Sequence, residues 1–256
     1  CEALAVPHAI LTWQGEKPAT RVQERARDAR YDLLFAHAQE IGADVVATAH
    51  HADDQAETIL FRLLRGSGIA GLAGMEPVST RSGLTLARPL LHLTKSQLIE
   101  ICEKRGQAFI RDPSNEDPRF ARTKLRALMG ELGQEGLDRE ALLRLGRRAG
   151  RMAELADRAV SELRERLPAQ KEGIFELPAR QLLAAADEVW LRLLGEEIAR
   201  IGQGEGVRLE QLESLGLTLR DAAHRGQALR TNLGGVLIEL DTQLFLRLTP
   251  EPPRRG

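Results

Sequence analysis

The 256-residue sequence predicts an α/β fold: a parallel sheet, incomplete at its N-terminal side, followed by a helical domain with a small antiparallel sheet. Three observations predict it. A helix, a short apolar strand and a second helix alternate over residues 21–65, as the units of a parallel sheet do. Glycines at 130, 133 and 136 then interrupt the pattern. Near the C-terminus Gly234-Gly235 separates two apolar runs, a two-residue hairpin signal. The expected domains are 1–132 and 133–256.

Composition bounds the function classes. Hydrophobic residues make up 43% and charged residues 29%, ordinary for a soluble globular protein. A net charge of −1 argues against a wholesale nucleic-acid coat and leaves room for a local patch. Cys1 and Cys102 give neither a disulfide framework nor a C-x-x-C metal site, so a cytoplasmic protein is the simple inference. No apolar run approaches the ~20 residues of a membrane span, and no signal-peptide pattern is present.

Taken in order, Cys1–Val6 reads as the end of a helix, Pro7 as a turn and His8–Trp13 as a strand. A sheet that starts in mid-helix suggests an upstream unit. Arg21–Ile41 is a helix with Val22, Ala26, Ala29, Leu33, Leu34 and Ala38 on its apolar side, ended by Gly42. Asp44–Ala49 is a buried strand. It leads through His50, His51, Asp53 and Asp54 into a helix ending near Arg65. A strand that delivers polar groups to a helix start is where an open α/β sheet places its site.

In that helix Asp53 is the expected N-cap. Asp54, Glu57, Phe61 and Arg65 share one stripe, and Ile59, Leu60, Leu63 and Leu64 form an adjoining apolar face. Asp54 and Glu57 thus lie one turn apart. They are either two acids favoured by the helix dipole or a paired acidic site that grips an ammonium or takes a proton. Gly66-Ser-Gly68-Ile-Ala-Gly71 matches G-x-G-x-x-G but closes a helix instead of opening one. It is therefore not a dinucleotide fingerprint. Gly66 is the expected C-cap, followed by a mobile loop.

Further on, Leu84–Leu91 is a strand that Pro89 confines to an edge or an end. Thr94-Lys-Ser-Gln97 is a capping box opening the helix Lys95–Arg105, stopped by Gly106. Gln107–Arg111 is extended, Asp112–Asn115 a turn, and Phe120–Leu132 a helix carrying Arg122, Lys124 and Arg126. Residues 119–151 hold nine basic residues against four acidic ones. That is a solvated helix face or a stripe facing phosphates. Leu137–Leu167 is a long helix, Gly173–Leu177 a strand, Pro178–Gly202 a helix and Leu209–Leu217 a helix before a polar turn. Leu229–Leu233, Val236–Leu240 and Leu244–Leu248 are strands, and Pro250–Gly256 is a frayed tail.

Three segments, in order, carry a resemblance. His50–Met75 (HHADDQAETILFRLLRGSGIAGLAGM), Arg88–Leu91 (RPLL) and Asp112–Arg126 (DPSNEDPRFARTKLR) resemble the motifs of the tRNA(Ile)-lysidine synthetases. These are PP-loop, or N-type, ATP pyrophosphatases of the adenine nucleotide alpha hydrolase-like fold. Two departures stand out. The family's phosphate-gripping string SGGxDS does not occur in the chain, and Thr123-Lys124 replaces a more Asn/Arg-like pair.

The resemblance implies a carbon–nitrogen ligase that uses ATP to adenylate C2 of the wobble cytidine in the isoleucine tRNA with a CAU anticodon. The amine of free lysine then displaces AMP. It implies Asp54, Glu57 and Arg122 as catalytic. It implies His50, His51, Asp54, Glu57, Arg122 and Arg126 as substrate-binding, with at most one of the two histidines facing the ligand. Arg65, Gly66 and Gly68 fall on the ATP side. Mg2+ accompanies the ATP phosphates; no protein metal site is expected. Without an SGGxDS loop the chain alone is expected neither to hold ATP tightly nor to form lysidine. The alternative is a non-catalytic tRNA-binding relic. A sulfur-inserting relative would need paired cysteines, and a metal hydrolase built on HHADD would need further His ligands. The expected partners are tRNA(Ile) and lysine, with no membrane. An open sheet edge would also invite a homodimer.

Overall fold

A computed structural model describes residues 1, 4–15, 22–110, 121–204 and 206–252, without the side chains of residues 22–24, 121 and 122. The chain divides into two compact units. The first comprises Cys1–Phe61 and Gly74–Arg144, the second Arg62–Ala73 and Leu145–Gly256. The division falls beyond residue 132 because the long sixth helix starts in the first unit and runs into the second.

The first unit is built around a three-stranded mixed sheet. Helix α1 (Val22–Glu40) precedes β1 (Val45–Ala47), and α2 (Ala52–Leu64) follows it. A short α3 (Ile69–Leu72) leads to β2 (Val78–Arg81) and β3 (Leu84–Ala87). The sheet order is β1-β3-β2. β1 runs parallel to β3, with Val46 opposite Leu86, and β2 is antiparallel to β3. Tyr31, Phe35 and Ala38 of α1 cover Val46 and Leu86 to form the core. The aromatic pair of that core was not among the residues expected on α1's apolar side. Arg81 reaches back from β2 over the Tyr31 ring, 4.6 Å from its centroid, a cation–π contact that holds the hairpin to α1.

Several expectations need correction here. His8–Trp13 forms no strand; Ile10 is 83% exposed, and a strand without a ladder partner gains nothing over coil. The strand expected over Leu84–Leu91 ends at Ala87, so Pro89 lies past the end of a central strand. β2 went unpredicted, although Ser82 and Gly83 both have positive φ, 51° and 78°, as a two-residue hairpin turn requires. In α2, Ile59 and Leu60 are buried, but Leu63 and Leu64 are exposed. The buried stripe instead runs through Ala52, Ala56 and Glu57.

Helix α4 (Lys95–Lys104) opens with the expected capping box between Thr94 and Gln97. Gly106 ends it at φ 62°. Residues 111–120, and with them the expected turn Asp112–Asn115, lie outside the described residues. Helix α5 (Ala121–Gln134) follows, and α6 (Arg139–Arg166) begins beyond Gly136.

The second unit packs helices on a four-stranded antiparallel sheet of order β4-β7-β6-β5. Its strands are β4 (Phe175–Pro178), β5 (Leu229–Leu233), β6 (Val236–Leu240) and β7 (Phe245–Pro250). Gly234 and Gly235, at φ 59° and 76°, make the expected hairpin turn. One helix expected over Pro178–Gly202 is two, α7 (Ala179–Leu183) and α8 (Asp187–Gly202). Ala186, extended at ψ 148°, redirects the chain so that both Leu182 and Trp190 enter the core. Helix α9 (Leu209–Arg225) runs past Leu217 because Leu219 and Ala222 continue the buried stripe of Leu212 and Leu215; Gly226 caps it. Glu197, 2% exposed, is held between Arg164 and Arg200, which offsets the cost of burying its charge.

Candidate functional site

The first unit gathers its ionisable groups where β1 hands over to α2. His51 precedes the helix and caps it reciprocally. The His51 N–H donates to Asp54 Oδ2 at 3.1 Å, and the Asp54 N–H donates to His51 Nδ1 at 3.4 Å. The N-cap is therefore His51, not Asp53. One position inside the first turn, Asp53 reaches other elements. Its Oδ2 accepts from the Lys95 N–H at the start of α4 at 2.7 Å, and its Oδ1 accepts from Arg139 at 3.1 Å. Burial pushes the Asp53 carboxyl up, but the Lys95 N–H, the Arg139 guanidinium and the His51 ring outweigh it and hold it below the usual carboxylate range. Reciprocally, Asp53 raises Arg139.

Glu57, one turn below Asp54, is 7% exposed. Its Oε1 accepts from Arg126 Nε at 2.5 Å across 69 residues. The expected acidic pair thus divides its work. Glu57 is neutralised by Arg126, which brings the third motif onto the first, while the Asp54 side chain keeps 23% of its surface open. His50 turns to Thr48, with Nδ1 2.9 Å from Oγ1. Arg122 lies on α5, its side chain outside the described residues.

The Arg88 of RPLL donates to the Glu76 carbonyl at 2.6 Å and approaches Ser79 Oγ at 3.2 Å, fastening the entry to β2. Gln55 clamps the same approach. Its Oε1 accepts from the Met75 N–H at 2.8 Å and its Nε2 donates to the Met75 carbonyl at 2.9 Å. Gly74, at φ 83°, lies so close that a Cβ there would stand 2.6 Å from the Gln55 amide. Gln55 and Arg139 are the members of this network that sequence reasoning missed, and Asp53 was read only as an N-cap. Only the helix-start pattern at Thr94 hinted that unpaired N–H groups needed an acceptor.

Arg65, Gly66 and Gly68 belong to the second unit. Gly66, at φ 67°, ends α2 in a Schellman motif: its N–H donates to the Leu63 carbonyl and the Ser67 N–H to the Arg62 carbonyl. Gly68 is the N-cap of α3, and a Cβ there would meet Leu209 at 3.0 Å. The expected loop is partly helical, pinned by Arg62 donating to the Gly71 carbonyl at 2.8 Å. At the start of α2 the N–H groups of His51, Ala52, Asp54 and Gln55 all have acceptors. Among the described residues no group of three His, Cys, Asp or Glu is placed to hold a metal ion, and no helix is long and apolar enough to cross a membrane.

The PP-loop domain family matches residues 1–132. The tRNA(Ile)-lysidine synthase of Methylobacterium nodulans is 46% identical over 260 residues, covering 99% of this chain and 76% of that protein. That of Rhodopseudomonas palustris is 45% identical over 263 residues, covering 99% and 75%, and that of Bradyrhizobium sp. strain BTAi1 is 44% identical over 272 residues, covering 98% and 75%. Similar to these proteins over nearly its whole length, with a PP-loop domain across its first half, the chain belongs to the tRNA(Ile)-lysidine synthase family of PP-loop proteins.

Proposed function

We propose that this protein is an ATP-dependent ligase that joins lysine to C2 of the wobble cytidine of tRNA(Ile) bearing a CAU anticodon. The observation that carries the reading is the similarity to lysidine synthases along 98–99% of the chain. In the reaction, the C2 oxygen of the cytidine attacks the α-phosphorus of ATP and pyrophosphate leaves. The lysine amine, having given up a proton, then attacks C2, and AMP departs with the former carbonyl oxygen. ATP is a substrate here, with Mg2+ as the counter-ion its phosphates call for. Acting on tRNA, the protein works in the cytoplasm.

The residues supporting this reading have distinct tasks. Asp54 is the open carboxylate of the acidic pair and receives the lysine ammonium, assisting the loss of its proton. His51 holds Asp54 through its own N–H. Glu57 positions Arg126, whose cation stabilises the charge that develops on the cytidine oxygen and the phosphate, a role that the family resemblance also gives to Arg122. Arg65, Gly66 and Gly68 remain on the ATP side of the proposal.

The test is transfer of labelled lysine to a tRNA(Ile) transcript. It is run with the chain as it stands and with the SGGxDS segment of a relative joined ahead of Cys1. Incorporation at the wobble cytidine by the joined protein, dependent on ATP, is the expected result. Binding of tRNA without any incorporation by either form would replace the ligase reading with that of a tRNA-binding relic.

A further inference from the structure

Within the second unit, Arg147, Arg148, Arg151 and Arg158 are all exposed. They project from the side of α6 opposite the buried Ala149, Ala153 and Val160. Several other arginines of this unit reach a carboxylate: Arg164, Arg192, Arg200, Arg220, Arg225 and Arg247 each do so. Among the described residues, none of the four on α6 does. The neighbouring acid Asp157 is taken by Arg192 at 2.5 Å, and the exposed Glu154 lies between Arg151 and Arg158 along the helix without an ion pair to either among the described residues. Four cations therefore stand along about 16 Å of helix, at 1.5 Å per residue, with Met152 and Leu155 exposed beside them at 53% and 56%.

We propose that this ridge binds the phosphate backbone of the tRNA. The inference rests on the tRNA reading for the identity of the polyanion. Planar guanidinium groups set one and two turns apart along one helix face fit a phosphate backbone. The exposed Leu155 offers apolar contact to sugar or base. A membrane surface fits poorly, because an interfacial helix needs its apolar face free, and that of α6 is already buried.

Fluorescence anisotropy of a labelled tRNA(Ile) transcript, titrated with the full chain across a salt series, tests the ridge. The combined variant R147Q/R148Q/R151Q should bind roughly tenfold or more weakly at low salt. Its plot of log affinity against log salt should flatten by about 2, since each phosphate contact contributes roughly 0.7–0.9 to the slope. The corresponding lysine variant should keep most of the slope, and R225Q, which breaks an exposed pair in the same unit, should change neither quantity. Wild-type affinity and slope in the triple glutamine variant would overturn the ridge while leaving the ligase reading intact. Competition by polyglutamate as effective as that by tRNA would overturn the assignment to RNA. If the unsubstituted chain retains no tRNA even at low salt, the ridge and the tRNA reading fail together, and that result is visible without any variant.

Discussion

Asp53 shows how one side chain can tie together elements far apart in sequence. It accepts from the start of α4 and from Arg139 at the start of α6, and those charged and dipolar partners hold it ionised. Asp53→Asn should lower stability at neutral pH by about 1 kcal/mol, a figure reduced for the partial exposure of the site. Because the folded carboxyl titrates below its usual range, its stabilisation is present above about pH 4 and is lost as the pH falls further. The gap between the unsubstituted protein and Asp53→Asn in urea unfolding should therefore close on acidification. A gap that widened would contradict the assignment. Removing Arg126 instead leaves Glu57 buried without its partner. Arg126→Leu should cost about 2 kcal/mol, less than for a fully buried pair because the Arg126 side chain is 38% exposed. Asp54 and Glu57 were legible as an acidic pair from their spacing. Their different fates were not, because Arg126 arrives from 69 residues away and tertiary pairing leaves no local mark.

At the scale of elements, what could be read in advance was what local chemistry decides. The Thr94 box, the Gly66 terminus and the Gly234-Gly235 turn are each set by a few adjacent residues. Thr94→Ala should accordingly cost about 1 kcal/mol, measurable by thermal unfolding. Gly74→Ala should cost more, about 2 kcal/mol, since the backbone there has φ 83° and the Gln55 amide fills the space of a Cβ; a neutral effect would show that the Gln55 clamp is dispensable. The elements that were misread are those that packing decides. His8–Trp13 has a strand pattern but no ladder partner. The break between α7 and α8 contains neither glycine nor a mid-helix proline, only the need to bring Leu182 and Trp190 into one core. The last two turns of α9 look polar in sequence and are held by Leu219 and Ala222.

For the whole molecule, family membership rested on three motifs whose order and chemistry were visible in the sequence. The structure adds why they are separate strings. The first supplies the acids of α2, the second clamps the approach to β2, and the third sends Arg126 to Glu57. Overall charge carries little of this. A net of −1 conceals a ridge of exposed arginines on α6, because acidic residues elsewhere in the chain balance their charge. The claim on which the functional account turns is that Asp54 receives lysine. The most direct measurement is the lysine dependence of ligation by Asp54→Asn, in the protein carrying the joined SGGxDS segment. The account predicts that KM for lysine rises at least tenfold, equivalent to about 1.4 kcal/mol, with tRNA affinity unchanged. Unaltered KM for lysine and unaltered kcat would contradict it.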